Sequence, residues 1–123
     1  MRKSALLLLA SLLSSPVLTV QADAVADAAA SKHRSAKAKL RDEYRHPQQT
    51  LRFFDVQPTM TVVEISPGGG WYTDILAPLL KDNGKLVAAH FFVDDDSPGY
   101  YQRSLAAFKD KMANHAPYSN IEL

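Results

Sequence analysis

The stretch Val62-Val63-Glu64-Ile65-Ser66-Pro67-Gly68-Gly69-Gly70-Trp71 constrains the fold of this chain more than any other. A β-branched run ends in an acid and a glycine turn, and a helical pattern starts at once. Thr61 to Ile65 is apolar except for Glu64 near its end, the pattern of a parallel-sheet strand covered on both faces. After the glycines, Trp71, Ile75 and Leu79 form one i, i+4 row, and Tyr72, Leu76 and Leu80 form a second. Together they make one broad apolar helix face. Pro78 sits inside this helix and is expected to kink it by removing the bond to the Asp74 carbonyl.

The flanking segments repeat the alternation. Residues 23–31 are alanine-rich and read as a frayed lead-in, and a helix is expected from Ser31 to Tyr44. Pro47 suits the first turn of a short helix over Gln48 to Phe54, where its missing N–H is no loss. Asp82-Asn83-Gly84 reads as a turn that stops the central helix, and Lys85 to Phe92 as a second strand. Ser97 is placed to cap a helix with Pro98 at its first position. That helix sets Tyr101, Leu105, Phe108 and Met112 on one side, and Ile121-Glu122-Leu123 starts a third strand. The predicted class is α/β: a β-α-β-α-β start on a parallel sheet with right-handed crossovers, preceded by N-terminal helices.

At 123 residues the chain has room for one domain. Arg2 and Lys3, the apolar run Ala5 to Leu13, and Val20-Gln21-Ala22 make residues 1–22 a secretory signal peptide. Its apolar core is far short of the ~20 residues needed to span a bilayer, so no stable membrane anchor is expected. The address is therefore exported, periplasmic or secreted. There is no cysteine, which excludes disulfides, thiolate catalysis and cysteine-ligated metal. Without Arg2 and Lys3 the formal charge of +1 becomes −1 for residues 23–123, so no nucleic-acid partner is expected. A basic cluster, Lys32, Arg34, Lys37, Lys39, Arg41 and Arg45, reads first as a solvated helix face and second as a contact for an anionic surface.

The glycines let the backbone approach a ligand closely and adopt positive φ, and the helix behind them turns free N–H groups toward the same spot. Glu64 beneath the loop can accept from an ammonium or a ribose, and needs a donor in any case. Open α/β sheets take up ligands, nucleotide cofactors among them, at the carboxyl ends of their strands. Three other motifs fit poorly. A P-loop needs Gly-Lys-Ser/Thr where Trp71-Tyr72 stand, and the third glycine of a dinucleotide fingerprint would fall on Thr73. A nucleophile elbow needs glycine at the place of Glu64. A purely structural strand-to-helix turn remains an alternative. His90, beside Asp94, Asp95 and Asp96, lacks a metal-ligand spacing, and no metal is expected.

Residues 41–93, from Arg41-Asp42-Glu43-Tyr44-Arg45-His46-Pro47 through the glycine loop to Gly84-Lys85-Leu86-Val87-Ala88-Ala89-His90, resemble a family of exported predicted methyltransferases. That family is similar to the class I S-adenosylmethionine-dependent methyltransferases. The resemblance implies a Rossmann-like class I methyltransferase fold, present here as its N-terminal half. It also implies S-adenosylmethionine as cofactor, held by Glu64, Ser66, Pro67, Gly68, Gly69, Gly70, Tyr72 and His90. Glu64 matches the acid at the methionine end, and Gly68 and Gly70 match the second and third glycines. Ser66 stands where the first glycine usually lies, which costs about 1 kcal/mol or more if its φ is positive. His90 stands where an acid usually takes both ribose hydroxyls, and a neutral imidazole accepts only one such bond. His46 belongs to the resemblance, either at the site mouth or at a helix end.

The implied organisation is a signal peptide (1–22), an N-terminal helical segment (23–46) and the first half of a methyltransferase-like domain (47–123). The class I fold has seven strands, so the sequence reads as a fragment. Neither the methyl acceptor nor a catalytic base can be assigned from it. Two functions follow: a cofactor-binding methyltransferase half, or a non-catalytic exported binding or interaction module on the same scaffold. N-terminal sequencing of the protein from its own cells is expected to begin at Asp23. A chain still starting at Met1 would contradict export processing.

Overall fold

The computed structural model describes residues 23–123; the signal-peptide assignment at 1–22 lies outside the described residues. In order, α1 is Ala24–Ala30, α2 Ala36–Lys39, α3 Asp42–Arg45 and α4 Pro47–Phe53. They are followed by β1 Thr61–Ile65, α5 Thr73–Leu80, β2 Lys85–Ala89, α6 Gly99–Asn114, a 3-10 turn Ala116–Tyr118 and β3 Ile121–Glu122. The three strands form one parallel sheet in the order β1-β2-β3. Val63 lies opposite Val87, and Leu86 opposite Ile121. The result is a mixed α/β fold, a small parallel sheet with helices.

The core follows the sequence pattern of α5. Ile75, Leu76, Leu79 and Leu80 are buried, together with Leu86 and Ala88 of β2 and Phe108 of α6. Each large side chain so buried contributes about 1.5–3 kcal/mol. Pro78 is accommodated within α5, which runs on to Leu80. Behind α5 the alanine-rich segment is no frayed lead-in. It forms α1, whose Val25, Ala28 and Ala29 are buried in the same core. The small alanines allow the close approach, and both helix ends are tied. Asp23 accepts the Ala26 N–H, while Arg34 and Lys39 donate to the carbonyls of Ala29 and Ala30.

Other boundaries move for identifiable reasons. The helix expected over Ser31–Tyr44 is broken into the single turns α2 and α3. The Ala38 carbonyl receives Arg41 N–H (3.2 Å) and the Trp71 indole N–H (3.0 Å), so it is diverted from the regular i+4 pattern. β2 ends at Ala89 rather than Phe92. Its neighbour β3 pairs only with Leu86 and Val87, and the His90 N–H turns back to the Ala88 carbonyl. The Ser97 hydroxyl bonds Asp94 rather than capping α6, so Pro98 becomes the cap and Gly99 the first helical residue. Among the described residues, β1 is not covered on both faces. Val62 and Glu64 are half-buried, but Val63 and Ile65 are 56% and 79% exposed. Among the described residues, β1 has a strand partner on one edge only.

Gly84 illustrates how closely the turn before β2 is packed. A Cβ there would lie 2.6 Å from the Pro58 carbonyl oxygen and 2.7 Å from that of Met60, both backbone atoms. Gly84→Ala is expected to destabilise the protein by about 1–3 kcal/mol, as overpacking does. Thermal and urea denaturation would read this as a fall in Tm of several degrees with an unchanged m value. An unaltered Tm would show that the turn can yield.

Candidate ligand-binding loop

The loop begins where β1 ends. Ser66 N–H donates to the Ala89 carbonyl at 2.9 Å and extends the ladder by one residue, after which the chain turns. The Pro67 carbonyl accepts the Gly70 N–H at 2.9 Å, closing a tight turn. Ser66, Gly68 and Gly70 have φ of 54°, 56° and 80°, so three alternate residues are left-handed. Glycine permits this at 68 and 70. At Ser66 the left-handed backbone costs about 1–3 kcal/mol, the strain the sequence made conditional on a positive φ.

Three successive carbonyls of the turn are approached by side chains from later in the chain. The His90 Nε2 faces the Gly68 oxygen at 3.3 Å, Lys111 Nζ donates to the Gly69 oxygen at 2.8 Å, and Tyr118 Oη, its proton directed to Asp74, lies 3.3 Å from the Gly70 oxygen. Lys111 and Tyr118 both also bond the Asp74 carboxylate in the first turn of α5. Burial, together with the Asp74 carboxylate, pushes the Tyr118 phenol far above its usual range, so it remains a donor. Gly70 is enclosed, since a Cβ there would lie 3.1 Å from the Tyr118 oxygen and 3.3 Å from that of Thr73. Gly69 faces open space, and Gly68 has only Ser104 Oγ at 4.0 Å. The turn is therefore held from within and open from without.

Because a carbonyl can only accept, the contact with Gly68 puts a proton on His90 Nε2. Its Nδ1 is buried with no partner among the described residues. Glu64 has a partner: Thr73 Oγ1 donates to its carboxylate at 2.6 Å, and the Thr73 N–H turns to it as well. Burial still raises the Glu64 carboxyl above its ordinary range. The Thr73 bonds oppose that rise, Asp74 adds to it and Arg45 lowers it.

The N-terminal segment crosses in front of the loop as a strap. Its basic cluster is not simply a solvated face. Arg34 is buried, donates two hydrogen bonds to Asp42 at 2.7 and 2.6 Å, and lies 5.2 Å from the Trp71 ring centre. Arg41 and Arg45 stand over the same ring at 5.8 and 4.1 Å, and Arg45 also lies over the Tyr72 ring at 5.2 Å. Between strap and loop is a cleft of about 330 Å3, to which Pro67, Gly69 and Trp71 contribute.

The structure thus brings Glu64, Ser66, Pro67, Gly68, Gly69, Gly70 and His90 together, with Tyr72 beside them at the start of α5. It does not bring His46 in; that residue is exposed at the left-handed junction of α3 and α4, a helix-end role. Asp94, Asp95 and Asp96 are exposed in their own loop. Sequence reasoning missed Thr73, Asp74, Lys111 and Tyr118. No local signal marks the last two, which reach the loop only through tertiary folding. The described residues hold no group of three or more His, Asp or Glu able to bind a metal, and no helix among them is long and apolar enough to cross a membrane.

A raised Glu64 value means the folded state holds that proton more tightly than the unfolded chain does. Stability is then lost as pH rises from about 4.5 through the raised value. Glu64→Gln keeps an acceptor for Thr73 and removes the charge. It is expected to melt at a higher temperature than the parent at neutral pH, with the difference vanishing in acid below the unfolded value. An equal or lower Tm at neutral pH would contradict the desolvation account.

The chain matches no family model, no curated protein and no solved structure.

Proposed function

We propose that this chain is the cofactor-binding part of an exported S-adenosylmethionine-dependent methyltransferase-like protein with a Rossmann-like class I scaffold. The observation that carries this reading is the left-handed glycine turn at the carboxyl end of β1. Two of its carbonyls face His90 and Lys111, its outer face is open, and an acid stands beneath it. Open α/β sheets take up ligands at such a crevice.

The residues fit the cofactor at two points. Gly68 and Gly69 leave the backbone free to approach it. Glu64 is an acceptor for its ammonium, and a cation arriving there would offset the cost of keeping that carboxylate ionised. His90 adds no third point: one ring nitrogen faces the Gly68 carbonyl and Nδ1 is buried out of a ligand's reach. When bound, the cofactor supplies an electrophilic sulfonium methyl. The task of the chain is to hold that methyl in line with an acceptor and exclude water, which is catalysis by orientation. The export signal read at residues 1–22 gives the location.

A second reading, a non-catalytic binding module on the same scaffold, is favoured by a separate observation. Glu64 is already bonded to Thr73, and His90 is committed through Nε2 to Gly68, so both groups are satisfied in part without a ligand.

Calorimetry with S-adenosylhomocysteine tests the first reading. The full-length protein is expected to bind it with micromolar affinity, and the Glu64→Ala, Gly68→Val double variant to lose at least tenfold, about 1.4 kcal/mol. No heat from the parent, or equal affinity in a folded double variant, would remove the cofactor reading. Turnover of a methyl donor would remove the second.

A further inference from the structure

The cleft between the strap and the loop is charged in one sense. Lys37, Arg41, Arg45 and Lys111 line it against a single carboxylate, Asp74, which already bonds Lys111 and Tyr118. Lys37, Arg41 and Arg45 have no carboxylate within salt-bridge distance among the described residues. Three cations facing one concavity repel one another, and an anion placed among them relieves that repulsion.

Two of the three are held in position. Arg41 and Arg45 lie over the Trp71 ring, which is itself fixed by its indole N–H to the Ala38 carbonyl at 3.0 Å. A guanidinium held against an aromatic face keeps its N–H edge free, and that planar fork matches the oxygens of a phosphate. Stacking reduces the side-chain entropy lost on binding.

S-adenosylmethionine is a poor match for so much positive charge. Its amino-acid end is a zwitterion and its sulfonium is a cation, so the whole molecule is positive. The cleft fits a ligand of opposite sign beside it. We propose that Lys37, Arg41 and Arg45 bind a phosphate group carrying two or more negative charges. The further assignment of that phosphate to the methyl acceptor rests on the methyl-transfer reading. The phosphate site itself stands on the cleft alone.

Trp71 is the single tryptophan of the chain, so intrinsic fluorescence reports on this cleft directly. Inorganic pyrophosphate titrated into the full-length protein is expected to change that fluorescence saturably in the micromolar to low-millimolar range. Sodium chloride at matched ionic strength should not. Lys37→Gln, Arg41→Gln is expected to weaken pyrophosphate at least tenfold. Both positions are exposed, and an unchanged melting curve would show that the fold persists. Arg41→Lys alone should recover part of the affinity.

No saturable change with pyrophosphate, or equal affinity in the double variant, would overturn the site. Tighter binding of citrate would overturn its assignment to phosphate. S-adenosylhomocysteine, titrated separately, distinguishes the two proposals. If it binds while pyrophosphate does not, the cofactor reading stands and the phosphate site falls. If pyrophosphate binds and it does not, the site stands and its role for a methyl acceptor falls.

Discussion

Tyr118, Lys111 and the Asp74 carboxylate form a knot on which the geometry of the glycine turn depends. Asp74 lies in the first turn of α5 and receives both donors; Lys111 also holds the Gly69 carbonyl, and the Tyr118 oxygen packs against Gly70. The knot couples the start of α5 to the C-terminal part of α6 and to the 3-10 turn before β3. Removing the phenol would leave one Asp74 oxygen without its donor and open space beside Gly70. Such networks lose more than the sum of their pairs, because each unpaired member in a poorly solvated place costs about 1–3 kcal/mol. The turn owes its shape to groups some forty residues further along the chain, not to its own sequence alone.

The strap provides a second restraint from the opposite direction. Arg34 sits at its centre, fully covered, joined to Asp42 by a two-pronged ion pair and to the end of α1 through the Ala29 carbonyl. A buried guanidinium is tolerated only when its donors are satisfied, and most of these are. By holding α1, α2 and α3 in one arrangement, Arg34 sets Ala38 where the Trp71 indole can reach it. Trp71 in turn stands directly after the glycines. The loop is therefore clasped between a strap that precedes it in sequence and a knot that follows it.

Much of this was legible in the residues and some could not be. The strand, the turn and the helix from Thr61 to Leu80 follow from β-branching, successive glycines and i, i+4 rows, all local signals. The parallel order follows from the alternation of strands and helices. Three things escaped. The alanines of α1 carry almost no amphipathic pattern, and only packing against α5 reveals that they are core. Arg34 is indistinguishable in sequence from its basic neighbours, although Lys37 and Arg41 are exposed and Arg34 is not. The partners of the turn, Lys111 and Tyr118, lie too far along the chain for any spacing rule. Coverage of β1 on both faces was inferred from its composition. Composition reports what a strand could bury, and Val63 and Ile65 remain exposed among the described residues.

The loop breaks the rules of stability twice within three residues. Ser66 adopts a left-handed backbone that glycine would adopt without strain, and Glu64 keeps a carboxyl where burial disfavours its charge. A turn selected only to join β1 to α5 would need neither, since glycine at 66 and an uncharged acceptor at 64 would serve the connection better. Elsewhere the local choices agree with the fold: capped ends on α1, a glycine at 84 where no Cβ fits, apolar rows where α5 meets the sheet. Departures of this kind concentrate where a protein gives up stability for a ligand. Their direction is informative as well. An acid kept uncomfortable in its own fold is relieved by a cation. A cationic group reaching Glu64 would remove that cost, and this constrains the chemistry of any ligand here more than the glycines alone do.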